Sequence, residues 1–126
     1  MKKRKTLDEI LQSTSDVLFP DQLGNQRVQL DSRDVDGDTP LHVMIWRDDL
    51  YAARLLVESG ADVNAVGDMG ETPLHVALRK KNSAITEILL KAGANSDIRS
   101  EFGETAREMA TKEGGLIKRL FVTRGA

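Results

Sequence analysis

The chain has 126 residues, a net charge of −2, 40% apolar and 30% charged residues, proportions of a single soluble globular domain with little room for a second. It has no cysteine, which excludes disulfides, thiolate metal sites and a thiol nucleophile and is compatible with a cytoplasmic location. Aromatic residues make up only 4%, so a core has to be built from Leu, Val, Ile, Ala and Met, and no apolar run reaches the roughly 18 residues needed to cross a bilayer.

The chain opens with Met1, Lys2, Lys3, Arg4 and Lys5. A secretory leader would continue with an unbroken apolar stretch. Thr6 to Phe19 instead carries Asp8, Glu9, Gln12 and Asp16, so no leader is expected. Residues 1–5 read as a basic, disordered start, with a nuclear-localisation patch as the alternative. Thr6-Leu7-Asp8-Glu9 fits a capping box, and Leu7, Ile10, Leu11, Val17 and Leu18 follow at helical spacing. The break at Phe19-Pro20 leaves the path of residues 19–33 open.

From Asp34 onward the chain repeats itself. Residues 37–43 read Gly-Asp-Thr-Pro-Leu-His-Val and residues 70–76 read Gly-Glu-Thr-Pro-Leu-His-Val, an offset of 33. Ser-Gly-Ala-Asp-Val-Asn at 59–64 returns as Ala-Gly-Ala-Asn-Ser-Asp at 92–97, again 33 later, and Gly-Glu-Thr at 103–105 begins a further period. Thr39 and Thr72 suit helix N-caps, with Pro40 and Pro73 in the first turn. Leu41, Val43, Met44 and Ile45 give a first helix with an apolar side, and Asp48 and Asp49 fall in the turn after it. A second helix is predicted over about 50–58, with Ala53, Leu55, Leu56 and Val57 inward and Gly60 ending it. Leu74, Val76, Ala77 and Leu78, then Ile85, Ile88, Leu89 and Leu90, repeat the pattern, and Gly93 closes it. In the next unit Thr105-Ala106-Arg107-Glu108 replaces Leu and His with charge. Leu116, Ile117, Leu120 and Phe121 are expected inward, with Lys118 and Arg119 outward.

The period, the Thr-Pro-Leu-His motif and the Gly-Ala-Asp-Val-Asn motif together resemble the ankyrin repeat. The resemblance implies an all-α fold, a solenoid of stacked helix–turn–helix units with short β-hairpin fingers at 64–70 and 97–103. The expected units are a basic start at 1–5, a degenerate N-terminal capping repeat at 6–33, repeats at 34–66 and 67–99, and a shortened C-terminal capping repeat at 100–126. Val28 and Leu30 precede Asp34 at the distance that Ala61 and Val63 keep from Gly67, which supports the first of these caps. One unit cannot bury its apolar face alone, so neighbours stack and the ends need polar caps.

Catalytic chemistry finds little support. His42 and His75 are the only histidines and hold one place in two repeats. The resemblance assigns them, with Thr39, Pro40, Leu41, Thr72, Pro73, Leu74, Gly60 and Gly93, to the structural motif, and a catalytic triad needs a histidine free to shuttle protons. Asp34-Val35-Asp36-Gly37-Asp38 suggests a calcium loop. With Gly37 sixth, however, position twelve is Val43, and the bidentate acid is missing. The expectation is no enzyme, no cofactor and no metal.

The charge is uneven. Without residues 2–5 the rest of the chain stands at −6, and from Asp31 to Glu71 ten acids meet only Arg33, Arg47 and Arg54. Such a stretch repels nucleic acid and attracts a basic partner. By resemblance a partner docks in a concave groove lined by finger tips and first helices. The matching positions are Val35, Asp36, Asp38, Trp46 and Arg47, then Asp68, Met69, Glu71, Arg79 and Lys80, then Glu101, Phe102, Glu104 and Lys112. Trp46 is the only tryptophan. It reads either as an interface hot spot or as a cover over the irregular N-terminal repeat. Met69 and Phe102 lie one period apart at finger tips.

The resulting expectation is a non-catalytic protein–protein interaction module. It is monomeric in isolation, with no membrane or nucleic-acid partner. Its size and acidic face resemble small free-standing ankyrin proteins that act as immunity proteins, here against a basic, nuclease-like toxin. The alternative is an adaptor or host-directed effector scaffold with several partners.

Overall fold

A computed structural model describes residues 4–124, with the side chains of Thr123 and Arg124 excepted. The first three residues of the basic start lie outside it. Among the described residues the regular elements are all helical. They are α1 (Leu7–Gln12), α2 (Ser15–Leu18), α3 (Pro40–Trp46), α4 (Leu50–Glu58), α5 (Pro73–Arg79), α6 (Ser83–Lys91), α7 (Ala106–Glu113) and α8 (Gly115–Arg124), with single 3-10 turns at Pro20–Gln22 and Asp68–Gly70.

The helices form two layers. The first helices α3, α5 and α7 pack side by side, the second helices α4, α6 and α8 pack behind them, and each pair packs internally. The core runs between the layers. Ile45, Leu56, Leu74, Ile85 and Leu89 are almost wholly enclosed. Burying each such side chain contributes roughly 1.5–3 kcal/mol relative to exposure. No buried side-chain polar atom among the described residues lacks a hydrogen-bond partner.

Four threonines one period apart start the first helices. Thr6, Thr39, Thr72 and Thr105 each accept a hydrogen bond from the backbone N–H three residues on, and each receives a reciprocal contact. In the inner two repeats the reciprocating residue is His42 or His75, and in the outer two it is Glu9 or Glu108. The choice has a consequence for stacking. Thr39 N–H donates to His42 Nδ1 at 3.1 Å, so that nitrogen is the acceptor and Nε2–H is free to donate to the Glu71 carbonyl at 3.1 Å. His75 repeats this with Thr72 at 3.1 Å and the Glu104 carbonyl at 2.9 Å. A glutamate has no donor to send across. Glu108 turns to Arg99 instead, at 3.0 Å.

The turns between first and second helices share a left-handed residue. Asp48, Lys81 and Gly114, spaced by one period, have φ of 55°, 52° and 72°. Glycine alone adopts this region without strain. Asp49 and Asn82 then cap α4 and α6.

The irregular N-terminal stretch is pinned by side chains. Helix α2 is only four residues long, and Leu23 turns left-handed at φ 52°. Gln12 donates to the Gln26 carbonyl at 2.8 Å and accepts from Val28 N–H at 3.3 Å, while the Ser15 hydroxyl also donates to Gln26 at 2.9 Å. Val28 is thereby held in the core. Arg4 lies over the Tyr51 ring at 4.7 Å.

One inward expectation is corrected. Leu116 is 60% exposed, whereas Ile117, Leu120 and Phe121 face the core. The three core residues lie on one helical stripe, and Leu116, in the first turn of α8, falls at the edge of that stripe, about 40° beyond Leu120.

Two measurements probe this architecture. Burial, chiefly, pushes the His42 imidazole below its ordinary value, against the opposing charge of Asp38. Above the unfolded value of about 6.5 neither state is protonated and the stabilisation is complete. As pH falls from there towards the lower folded value, the unfolded chain takes up a proton that the fold refuses, and stability declines. Thermal unfolding followed by circular dichroism from pH 7.5 to 5.5 should show this loss. His42→Gln should flatten it, and His42→Ala should cost roughly 2–4 kcal/mol at neutral pH. Lys81→Gly should raise stability by about 0.5–1 kcal/mol, because it relieves the left-handed strain and gives up only an exposed 4.0 Å ion pair to Glu113.

Candidate protein-binding face

The groove side is built from fingers and the ends of the first helices. Each finger is a turn closed by paired backbone bonds. Asp34 N–H donates to Asp38 and Gly37 N–H to Asp34, and the pairs Gly67–Glu71 with Gly70–Gly67 and Ser100–Glu104 with Gly103–Ser100 repeat this. Among the described residues no strand forms, so the fingers are turns without the ladder of a β-hairpin.

Neighbouring fingers are joined directly. Asp68 N–H donates to Asp38 Oδ1 at 2.9 Å, and Glu101 N–H donates to the Met69 carbonyl at 2.9 Å. Gly67 permits the first contact, since a Cβ there would sit 2.1 Å from Asp38 Oδ1. Gly70, at φ 70°, permits the second, since its Cβ would lie 2.9 Å from Glu101 N.

Several of the positions named from the sequence converge. Asp38, Trp46, Asp68, Met69, Arg79 and Phe102 line one depression of about 270 Å³, with Glu71 at its side. Trp46, Met69 and Phe102 are 48%, 49% and 58% exposed. Large apolar side chains left half in solvent and gathered on one face are unusual for a surface that serves only solubility. Val76 forms the floor of the depression and is nearly enclosed. The repeat pattern marks it only as core, and nothing in its spacing separates the two roles.

Other positions go elsewhere. Val35 and Asp36 line a different depression of about 590 Å³, against Leu18, Phe19 and Pro20. Arg47 reaches back to the N-terminal unit and donates to the Ser13 carbonyl at 3.3 Å. Glu104 and Lys112 pair at 2.8 Å beyond the depression, and Glu101 is an exposed finger residue.

The face is bipolar rather than uniformly acidic. Carboxylates stand on the fingers and cations on the helix ends. Glu71 is 5% exposed and is clamped by Arg79, whose guanidinium also lies over Phe102 at 5.2 Å. Glu71 holds Arg79 above the ordinary arginine range, mainly through their hydrogen bond. Lys80 bridges Asp48 at 3.3 Å and lies 5.8 Å over Trp46. Lys112, mainly through its hydrogen bond, holds the Glu104 carboxyl below the usual range. The Asp36 carboxyl is raised, chiefly by the Asp68 charge, then by desolvation and by Asp34 and Asp38.

Both ring nitrogens of His42 and of His75 are engaged in the stack. Among the described residues no three His, Asp or Glu side chains gather as a metal site, and no helix is long and apolar enough to cross a membrane.

No curated protein matches the chain in sequence. The family model for ankyrin repeats (3 copies) does match, over residues 9–101. With that match, the two-layer stack and the histidines that tie each helix start to the next finger, the chain belongs to the ankyrin-repeat family, whose repeats generally mediate protein–protein interaction and are typically non-catalytic.

Proposed function

We propose that this chain binds a protein partner through the finger-and-helix face, and that it serves as an immunity protein or inhibitor of a basic, nuclease-like toxin. The observation that carries the binding reading is the single depression joining half-exposed Trp46, Met69 and Phe102. Aromatic residues ringed by polar groups are the usual energetic centre of an interface. The carboxylates of Asp36, Asp38 and Asp68 around the finger tips support a basic partner, and they disfavour nucleic acid. In this reading the repeats at 34–66 and 67–99 present the face, the units at 6–33 and 100–126 cap the stack, and the protein works as a cytoplasmic monomer until it meets its partner. Binding here is a matter of surface complementarity, with no cofactor and no reaction.

Affinity purification from the native host tests the inhibitor reading. A single stoichiometric basic protein whose activity is silenced in the complex is the expected result. Recovery of several unrelated proteins would favour the adaptor or effector role instead. For the face itself, Trp46→Ala should weaken the complex by about 2 kcal/mol or more in calorimetric titration. The melting temperature should stay nearly unchanged, because Trp46 is half in solvent. Unchanged affinity, or an unfolded variant, would remove Trp46 from the binding face.

A further inference from the structure

The period aligns three pairs across the groove. Glu71 and Arg79 form an ion pair, and Glu104 and Lys112, one period on, form the same pair at 2.8 Å. One period earlier the positions hold Asp38 and Trp46. The finger acid is kept there, and the helix cation is replaced by an indole.

Asp38 therefore makes no ion pair among the described residues, and the guanidinium of nearby Arg33 is held by the Gly37 and Val66 carbonyls, each at 3.2 Å. One Asp38 oxygen, Oδ1, accepts from Asp68 N–H. The depression beside it is open, and Trp46, Asp68 and Met69 line it with Asp38. Arg79 shows what such a place holds when it is filled. Its guanidinium pairs with the finger acid Glu71 and lies over the finger-tip residue Phe102. The equivalents of those two contacts in the preceding repeat are Asp38 and Met69.

We propose that the gap between Asp38 and Trp46 receives an arginine side chain of the partner protein, which completes from outside the acid–base pair that the next two repeats make internally. The proposal rests on the binding reading above and names the anchor that the partner must carry. A guanidinium suits the place better than an ammonium. It is planar, it is weakly hydrated, and it can stack on the indole while forking onto a carboxylate. Lys80 lies 5.8 Å over the indole and is itself paired with Asp48 at 3.3 Å, so the chain's own cation there is committed to the turn. The neighbouring carboxylates repel one another at the finger tips, with Asp68 the largest influence on Asp36. A bound cation relieves that repulsion.

The test uses the full chain and the peptide Ac-Gly-Arg-Gly-NH2, followed by nitrogen-15 NMR at the Trp46 indole and the Asp68 amide. A saturable shift at both groups is expected, with none from Ac-Gly-Gln-Gly-NH2. Asp38→Asn keeps the acceptor for Asp68 and should weaken the peptide about fivefold or more. Trp46→Arg supplies the cation from the chain itself. It should keep the fold, with an unchanged or higher melting temperature, and abolish the shift at Asp68. A non-saturating shift, an equal response to the glutamine peptide or indifference to Asp38→Asn would overturn the arginine site. Capture of the host partner separates this outcome from failure of the face. Capture lost with Phe102→Ala but kept with Asp38→Asn and Trp46→Arg overturns only the arginine anchor. Capture unaffected by both Phe102→Ala and Trp46→Ala overturns the face as well.

Discussion

The rest of this molecule hangs on a pair of hydrogen bonds made by each of two histidines. The imidazole of His42, and again that of His75, accepts from the threonine that starts its own helix and donates to the carbonyl of the next finger. A side chain thus joins a helix N-terminus to a loop 29 residues away. Both ring nitrogens are satisfied, which is the condition under which a buried polar group stabilises rather than costs. Because the second bond reaches the neighbouring finger, it sets the spacing between units and the orientation of the fingers. The groove geometry follows from that spacing. The outer units use glutamate at the same place, and their carboxylates satisfy only local donors and an arginine.

Finger contacts carry the constraint forward. Glycines at 67 and 70 remove the side chains that would keep adjacent fingers apart, and Asp68 and Glu101 then bond to the finger before them. Three finger tips in close register put their carboxylates near one another, while the helix ends put cations opposite. Ion pairs across the groove neutralise two of these positions. The first repeat breaks the rule with Trp46, and among the described residues its finger acid Asp38 makes no ion pair. A repeat protein has few ways to mark one unit as special, and replacing a column residue is the most direct.

Much of this was legible in the chain. The 33-residue period, the threonine caps and the helix-ending glycines all rest on local chemistry repeated at fixed spacing, and the helices predicted from them occur where expected. Leu116 shows the limit of that reasoning. An apolar residue at the edge of a core stripe is counted inward by its spacing, yet in the first turn of α8 it stays 60% exposed. The fingers mark a second limit, since a turn and a two-stranded hairpin present the same polar sequence and differ only in how far the backbone pairing extends.

By itself the sequence determined the repeat, its period and the threonine N-caps of the first helices, because each follows from residues within one unit. Only the tertiary structure decided which exposed side chains share a depression. It separated Val35 and Asp36 from the Trp46 cluster, committed Arg47 to the N-terminal unit, and turned an acidic stretch into a bipolar face. Those outcomes depend on the stacking of units far apart in the chain, and on which cations reach which acids once they are stacked. Charge counted along a sequence says how much of each sign is present. Where the two signs face each other is settled by packing.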